Sequence, residues 1–327
     1  MTKMGTTMTI TRVATSLART LLVVVPVFVL ATLVTFLLGS VSGLSPAGLM
    51  LGDAATPADV ARVNAQFGLD RPLIVQYFDW FAGVVRGDLG VSWFNGLPVT
   101  ELIGQRLGIS LSVAALALVL GMAGGVGLGV LAASHRGGWI DRGVTVLASV
   151  LSTVPAFVVA VGLILVFCVL LRWFPSSGYV DPSVDVGRWL SLITLPAIAL
   201  SLDTAADLAR QLRTGLVGAY EENYVTGAVV RGLSPRRILF VHVLRNGAGP
   251  AVAVLGMHIP RLIGGAVITE SIFAMPGFGR FTAESALRGD VPVVQGTLVV
   301  AIVLVLGCSL LVNALLVRLR PGAERGA

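Results

Sequence analysis

Charged side chains are scarce in this 327-residue sequence, since only 12% of the residues are Asp, Glu, Lys or Arg. Soluble globular chains contain about 25% charged residues. Apolar residues make up 55% of the chain, and its mean hydropathy is +0.90. This composition excludes an ordinary soluble domain and predicts an integral membrane protein.

Lysine is almost absent, because Lys3 is the one lysine in the sequence. A P-loop needs a Gly-Lys-Ser/Thr unit whose lysine reaches the β- and γ-phosphates of a nucleotide. The sequence contains no such unit. If this protein takes part in ATP-driven work, we expect ATP and its magnesium ion to be bound by partner subunits.

Cysteine and histidine are also rare. Cys168 and Cys308 lie in apolar runs, where cysteine behaves as a small hydrophobe, so no disulfide framework is expected. The three histidines, at positions 135, 242 and 258, lack the paired spacing of typical metal sites. We therefore expect no catalytic residue, no metal site and no cofactor bound by this chain itself.

Six apolar runs are long enough to cross a membrane, which takes about 20 residues. They cover approximately residues 17–42, 107–133, 143–171, 190–212, 247–269 and 293–317. These runs predict an all-α fold with about six transmembrane helices, five of them in a transmembrane domain over residues 100–317.

The first run is longer than the apolar core of a signal peptide. This length favours an uncleaved anchor over the alternative of a cleaved signal.

Basic residues indicate which ends of the helices face the cytoplasm. With both termini inside, the cytoplasmic segments hold fourteen basic and four acidic residues, and the outer segments hold eight basic and eleven acidic ones. This bias predicts cytoplasmic termini over residues 1–16 and 318–327. It places residues 43–105 outside, as a folded region of short helices and turns. The same spacing explains the net charge of +6 without a nucleic-acid partner.

Small residues and prolines give expectations about the predicted helices. Gly121, Gly125 and Gly129 recur at a spacing of four, which lets another helix approach closely. The alternative is a glycine-rich span without a dedicated partner. Pro155 and Pro196 each remove a backbone hydrogen bond, so they predict kinks in the third and fourth spans.

The longest internal cytoplasmic segment, residues 214–246, predicts two short helices joined by a turn. Residues 224–231 form the first helix, and Gly232 suits the left-handed conformation that ends a helix. Ser234 and Pro235 are typical of the N-cap and first turn of a second helix. Four residues give that helix an apolar face: Ile238, Leu239, Val241 and Leu244. A docking element has this form, and so does the alternative, an amphipathic hairpin on the membrane surface.

Residues 223–233 read Asn-Tyr-Val-Thr-Gly-Ala-Val-Val-Arg-Gly-Leu and resemble the coupling motif of ABC importer permeases. That motif has Glu-Ala-Ala, three further residues and a glycine, which align with residues 226–228 and Gly232. Gly227 and Val229 depart from its usual alanine and basic residue. A glycine costs about 0.5–1 kcal/mol relative to alanine in a helix. The resemblance implies that these residues couple to an ATPase subunit: Glu221, Glu222, Asn223, Tyr224, Thr226, Gly227, Ala228, Arg231, Gly232 and Leu233.

The resemblance extends over most of the chain. Residues 68–73 and 86–90 are similar to the extracytoplasmic region of peptide and nickel permeases, and residues 264–267, 276–280 and 292–296 are similar to the region around their last outer loop. The match is to the B-type permease of dipeptide and oligopeptide importers. It implies a type I ABC importer fold and peptide transport across the cytoplasmic membrane. The implied partners are a second related permease, two ATP-binding subunits and an extracytoplasmic substrate-binding protein.

Ionisable side chains inside spans are costly and often mark function. Asp203, Asp207 and Arg210 share one face of the fourth span, and His258 and Arg261 share one face of the fifth. We expect these residues to line the substrate path, because a zwitterionic peptide needs contacts for its ammonium and carboxylate groups. In the alternative, Asp203 pairs with Arg261 as a structural link, and Asp207 and Arg210 mark the cytoplasmic end of their span.

Glu270 follows the fifth span. The resemblance implies a loop at this point that dips towards the pore and meets the binding protein, which would add Glu270 to the substrate path. The alternative is an ordinary carboxylate at the membrane surface.

Two further function classes use the same residues differently. A proton-coupled secondary transporter would use Asp203 and Asp207 as proton carriers, but such folds often show internal repeats, and none is apparent. A membrane-embedded enzyme would need a polar catalytic pair on facing helices, whereas these two aspartates share one helix. The expected role is therefore that of a transport subunit rather than an enzyme.

Overall fold

The computed structural model of this protein describes Leu22, residues 24–41, Pro46 and residues 56–319, with side chains up to Val312. The predicted cytoplasmic N-terminus, residues 1–16, lies outside the described residues. So do most of the predicted C-terminal segment and parts of residues 43–55. In the part of the chain that is described, the regular secondary structure is helical, apart from one isolated β-bridge between Val91 and Pro98.

The chain divides into two compact units. Of the described residues, those up to Gly104 and residues 284–302 form the first unit, and residues 105–283 and 303–319 form the second. Two long helices, Val99–Ser134 and Val291–Leu319, contribute residues to both units.

Three helices begin the first unit: α1 (Val24–Val41), α2 (Pro57–Gln66) and α3 (Leu73–Val85). Helix α2 starts with a capping box, in which Thr56 and Asp59 satisfy each other's backbone N–H groups. The ring of Tyr77 on α3 is buried among aromatic side chains, and its hydroxyl lies 3.0 Å from Thr32 Oγ1 on α1. This contact fixes α3 against the apolar surface of α1.

The remaining helices follow in chain order. They are α4 (Val99–Ser134), α5 (Trp139–Thr153), α6 (Ala156–Leu163, continued by a π-helical segment Ile164–Leu170), α7 (Val186–Tyr220), α8 (Asn223–Val230), α9 (Pro235–Arg237), α10 (Leu244–Gly247), α11 (Gly249–Ile272), α12 (Phe278–Arg288) and α13 (Val291–Leu319). A second π-helical segment, Ile238–Val243, joins α9 to α10.

Five helices of the described chain are long and apolar enough to cross a membrane, and a sixth span results if α5 and α6 count as one. The predicted all-α membrane fold is therefore confirmed. Helix α7 is the most buried span, with 61% of its apolar window inside the protein. Helices α5, α6 and α11 pack against it, which makes α7 the centre of the second unit.

The glycine spacing of α4 has a packing partner. Cβ atoms placed at Gly121, Gly125 and Gly129 would meet α7 at Thr204, Leu208 and Leu212 respectively, at 3.1 Å or less from a side-chain atom. Because these three glycines have no side chains, the backbones of α4 and α7 can approach closely. The prediction of a close helix contact is confirmed, and α7 is the partner.

Pro155 does more than kink its span. The chain bends by 99° between α5 and α6, and Val154 adopts an extended conformation, as residues before proline commonly do. Pro196 behaves differently, because α7 continues through it without interruption from Val186 to Tyr220.

Candidate functional site

The turn after α8 has the geometry of a Schellman motif. Gly232 has φ +75°. Its N–H donates to the Val229 carbonyl at 2.8 Å, and the Leu233 N–H donates to the Ala228 carbonyl at 3.2 Å. A side chain at Gly232 would strain this left-handed conformation. The predicted first helix and its glycine turn are confirmed.

The second helix begins where the sequence predicts. Ser234 is its N-cap and accepts a hydrogen bond from the Arg237 N–H at 3.4 Å, with Pro235 in the first turn. The backbone then changes to the π-helical segment, in which each hydrogen bond spans five residues instead of four.

This change of period moves the apolar face. Ile238, Leu239 and Val243 are buried, whereas the Val241 side chain is 52% exposed. Val241 therefore does not share a face with Ile238 and Leu239 as the α-helical spacing predicts, because the wider π turn rotates the following residues relative to an α-helix. Leu244 is half-buried at the edge of the same face.

Helix α8 has one anchored face and one exposed face. Val225 and Ala228 are buried in a cluster with residues of α7 such as Leu216. On the opposite face, Val229 and Val230 are exposed by 59% and 81%. An exposed apolar pair beside a buried anchor is a surface suited to another protein chain.

The ten residues predicted to couple to an ATPase subunit differ in exposure. Eight of them present exposed surface: Glu221, Glu222, Asn223, Tyr224, Thr226, Gly227, Arg231 and Gly232. Leu233 is half-buried, and Ala228 is fully buried. The Ala228 side chain packs α8 onto the core, so its predicted part in coupling is to hold the helix rather than to present a contact surface.

Two ion pairs lie near this segment. Glu221 pairs with Arg136, and both side chains are more than half exposed, so the pair stabilises little. Asp141 at the start of α5 is buried and accepts two hydrogen bonds from the guanidinium of Arg213 on α7. It also accepts the N–H of Gly137 at 2.9 Å. Sequence reasoning missed this link, because its partners are 72 residues apart.

A second group of polar side chains lies between α7 and α11. His258 is only 2% exposed. Its Nε2 lies 2.9 Å from Asp207 Oδ2, and its Nδ1 lies 3.8 Å from Asp203 Oδ2. Thr204 Oγ1 is 3.3 Å from the same Nδ1. We refer to Asp203, Thr204, Asp207, Arg210 and His258 as the α7–α11 cluster.

The guanidinium of Arg210 is the permanent positive charge of this cluster, which also holds two carboxylates. The Arg210 guanidinium donates to Asp207 Oδ1, so Asp207 is engaged on both oxygens. The Asp203 side chain remains 54% exposed. One carboxylate is therefore held by neighbours, and the other is open to an approaching group.

The predicted path residues are only partly brought together. Asp203, Asp207, Arg210 and His258 meet in the cluster, but Arg261 is exposed and forms no ion pair with any residue that the structure describes. The alternative of an Asp203–Arg261 pair is wrong. His258 is the residue of α11 that faces Asp203, and Arg261 lies almost one turn further along that helix.

The cluster also bears on the expectation that no metal site exists. Ligand atoms of Asp203, Asp207 and His258 lie within 4.8 Å of one another, a grouping that spacing within one segment could not reveal. The Arg210 guanidinium already supplies a positive charge to Asp207. This charge opposes the binding of a cation at the same place.

Glu270 does not lie in a loop or on the surface. It belongs to the last turn of α11 and is fully buried. Its carboxylate accepts hydrogen bonds from Ser110 Oγ and from the Arg280 N–H, the latter at 2.9 Å. Ser110 Oγ accepts the N–H of Phe278 at 2.8 Å. Glu270 thus holds the start of α12.

Both expectations for Glu270, a path residue and a carboxylate at the membrane surface, are therefore wrong. The segment after α11 folds back over the carboxylate instead of extending from it. Gly277 permits this fold, because a Cβ at that position would lie 2.3 Å from Glu270 Cδ.

Comparison with protein families gives two matches that together cover most of the chain. Residues 125–325 match the binding-protein-dependent transport system inner membrane component family. Residues 13–114 match the N-terminal component of the same transport systems.

Full-length relatives agree with this match. A probable peptide ABC transporter permease of Sinorhizobium fredii is 35% identical over 297 residues, which cover 91% of this chain and 94% of the relative. The dipeptide transport system permease of Escherichia coli is 32% identical, covering 91% and 95%. The oligopeptide transport system permease AppB of Bacillus subtilis is 31% identical, covering 95% and 99%.

Solved structures show the same fold. A chain of the MetNI methionine ABC transporter in an inward-facing conformation aligns with a TM-score of 0.56 and 17% identity, covering 67% of this chain and 96% of that one. This likeness identifies the type I ABC importer transmembrane fold. The chain therefore belongs to the binding-protein-dependent transport system inner membrane component family, and it is a multi-pass permease subunit of an ABC importer.

Proposed function

We propose that this permease translocates peptides, driven by ATP that separate subunits bind and hydrolyse on the cytoplasmic side. The relatives named above are peptide, dipeptide and oligopeptide permeases, and they match the chain from near one end to near the other. The chain itself has no Gly-Lys-Ser/Thr unit for a nucleotide. The proposed complex also contains a second related permease, two ATP-binding subunits and an extracytoplasmic binding protein.

The observation that carries the proposal is the two-sided form of α8. Its Val229 and Val230 side chains offer an apolar contact to an ATPase subunit, and Val225 and Ala228 fix the helix to the end of α7. A movement of the ATPase subunit is therefore passed to a long, well-packed span rather than to a flexible loop.

Helix α7 leads from this contact to the α7–α11 cluster. Leu216, which packs against α8, precedes the end of α7 by one turn, and Asp207 lies nine residues before it. At a rise of 1.5 Å per residue this is roughly 14 Å. A shift of α7 would move Asp203 and Asp207 against His258 on α11, which gives ATP a means to bias inward- and outward-facing states.

The residues assigned to the substrate path are those whose charged side chains are exposed. Asp203 presents a half-exposed carboxylate that suits the ammonium group of a peptide, and Arg261 presents an exposed guanidinium that suits its carboxylate. His258 lies beside Asp203 and is itself held by Asp207, which pairs with Arg210. In this proposal the cluster supports one residue of the substrate path, and its members do not all contact the substrate.

The proposed topology places both termini in the cytoplasm, in agreement with the distribution of basic residues.

One pair of variants tests the coupling surface. Val230→Asp places a charge on the exposed face of α8, and Val184→Asp places the same charge at a valine that is 79% exposed in the segment before α7. We expect Val230→Asp to abolish co-purification with an ATPase subunit and Val184→Asp to leave it unchanged. The wild-type chain purified alone should show no ATPase activity.

Equal recovery of the ATPase subunit with both variants would contradict the assignment of α8. ATPase activity of the isolated chain would contradict the division of labour between subunits.

A further inference from the structure

The turn that follows α8 leads into a helical stretch with one buried side and one exposed side. The stretch covers residues 235–247 and consists of α9, the second π-helical segment and α10. Gly247 lies against Gly215 of α7 so closely that a Cβ at either glycine would collide with the backbone of the other. Three residues of the buried side pack into the core: Ile238, Leu239 and Val243. One side of the stretch is therefore fixed to the protein.

The exposed side combines basic and apolar side chains. Hydrogen bonds of a π-helix span five residues, so residues four and five apart lie on the same side, and the exposed residues recur at this spacing. Phe240 is 61% exposed, and contact of its ring with water is unfavourable. An aromatic ring between arginines suits a partner that offers both anionic and apolar groups. We refer to five exposed residues as the basic face: Arg236, Arg237, Phe240, Val241 and Arg245.

The arginines of the basic face are not balanced by carboxylates. The sequence has no Asp or Glu between Glu222 and Glu270. Among the side chains that the structure describes, none forms an ion pair with these three arginines. A guanidinium group binds phosphate oxygens through paired N–H donors. The basic face is therefore complementary in charge to a partner that carries phosphate groups.

The position of the basic face indicates the source of the phosphate. Arg245 lies four residues before Gly249, where the apolar span α11 begins, and this is roughly 6 Å at a helical rise. The predicted topology places this end of α11 on the cytoplasmic side. The cytoplasmic leaflet contains anionic lipids, which bind clusters of arginine next to a span. Apolar side chains of such segments enter the boundary between headgroups and acyl chains.

We propose that the basic face binds anionic phospholipids of the cytoplasmic leaflet. The arginines contact the headgroup phosphates, and Phe240 and Val241 enter the layer of glycerol esters beneath them. The surface assigned to the ATPase subunit is a separate one, formed on α8 by Val229 and Val230. The inference goes beyond the proposed function, because it rests on the fold and its topology and not on the peptide substrate.

Native mass spectrometry of the full-length chain in a mild detergent tests the proposal, with equal amounts of phosphatidylglycerol and phosphatidylcholine as probes. The apolar variant is Phe240→Ser. The charge variant combines three substitutions: Arg236→Gln, Arg237→Gln and Arg245→Gln. The matched control removes three exposed arginines of the predicted outer segments: Arg86→Gln, Arg172→Gln and Arg188→Gln. Size-exclusion profiles show which variants fold, and co-purification of the ATPase subunit is measured in parallel.

We expect the wild type and the control to bind phosphatidylglycerol in preference to phosphatidylcholine. This preference should fall by about fivefold for each arginine removed from the basic face. Phe240→Ser should bind both lipids about tenfold less, because it removes the aromatic ring from the ester layer.

Equal lipid preference of the wild type and a folded charge variant would overturn the proposal, and so would an equal loss of preference in the control. If the charge variant does not fold, Arg245→Gln alone decides by the same criterion. Loss of the ATPase subunit from the charge variant, with unchanged lipid preference, would also overturn the proposal and assign the basic face to that protein.

Discussion

Helix α11 contacts two groups of ionisable side chains that differ in exposure and in the number of their partners. Near its end, the Glu270 carboxylate is fully buried and accepts hydrogen bonds from Ser110 and from backbone N–H groups. Near its middle, His258 meets Asp207 and the half-exposed Asp203. The first group has no open side, whereas the second retains a carboxylate that other molecules can reach.

This difference shows how a charge inside an apolar helix can be assigned a role. A buried carboxylate whose oxygens are engaged by local donors stabilises a turn, and its removal leaves those donors unpaired. A carboxylate held on one side only keeps free capacity for a substrate. Position within a span does not distinguish the two cases, but exposure and partners do.

Replacing Glu270 should give the largest effect. Glu270→Leu removes an acceptor from the Ser110 hydroxyl and from the Arg280 N–H, at a cost of about 1–3 kcal/mol for each group. We expect a loss of roughly 2–6 kcal/mol in stability, seen as a lower thermal midpoint in detergent. Asp203→Leu is the control and should leave the midpoint nearly unchanged. Similar midpoints for both variants would remove the distinction between the two groups.

Ser110→Ala tests the same network from its other partner. The substitution removes one hydrogen bond to Glu270 and the acceptor of the Phe278 N–H. We expect a loss of about 1–3 kcal/mol, smaller than that of Glu270→Leu because the Arg280 N–H keeps its acceptor. A Ser110→Thr variant should recover part of the loss. A change in peptide uptake without any change in thermal midpoint would contradict a purely structural role.

Arg261→Leu tests whether an exposed charge near the α7–α11 cluster contacts the substrate. The side chain is exposed and has no ion-pair partner in the described chain, so its removal should not alter the thermal midpoint. We expect peptide uptake to fall about tenfold, the equivalent of one good charge-assisted contact of roughly 1.4 kcal/mol. Normal uptake by a stably assembled complex would show that Arg261 does not line the path.

Thr204→Val should have the smallest effect. The change keeps the shape of the side chain and removes a 3.3 Å contact to His258 Nδ1. We expect a loss of about 0.5–1.5 kcal/mol in stability and uptake within twofold of the wild type. A loss of uptake as large as that of Arg261→Leu would mean that the supporting side of the cluster contacts substrate directly.

Local signals were sufficient for the cytoplasmic turn. Gly232, Ser234 and Pro235 each act on the backbone within a few residues, so the end of α8 and the start of α9 could be predicted from the sequence. The spacing of Gly121, Gly125 and Gly129 predicted a close helix contact for a similar reason. What it could not predict was the partner, because α7 lies about 80 residues further along the chain.

The surroundings of Glu270 and of His258 are formed by residues that lie far apart in the sequence. Ser110 and Glu270 are 160 residues apart, and Asp207 and His258 are 51 apart, so neither grouping has a signature within one segment. The π-helical segment after Arg237 was also not predictable, since apolar spacing was interpreted with an α-helical period. The proton-coupled alternative gains no support, because the relatives and structural neighbour described above are ABC transporter proteins.

The central claim, that ATP on partner subunits drives peptide uptake through α8, is tested most directly in proteoliposomes. They would contain the chain with its co-purified subunits, the binding protein and a labelled dipeptide. We predict uptake that requires ATP on the side of α8, disappears with Val230→Asp and persists with Val184→Asp. Uptake that continues without ATP and collapses with an uncoupler would contradict the account.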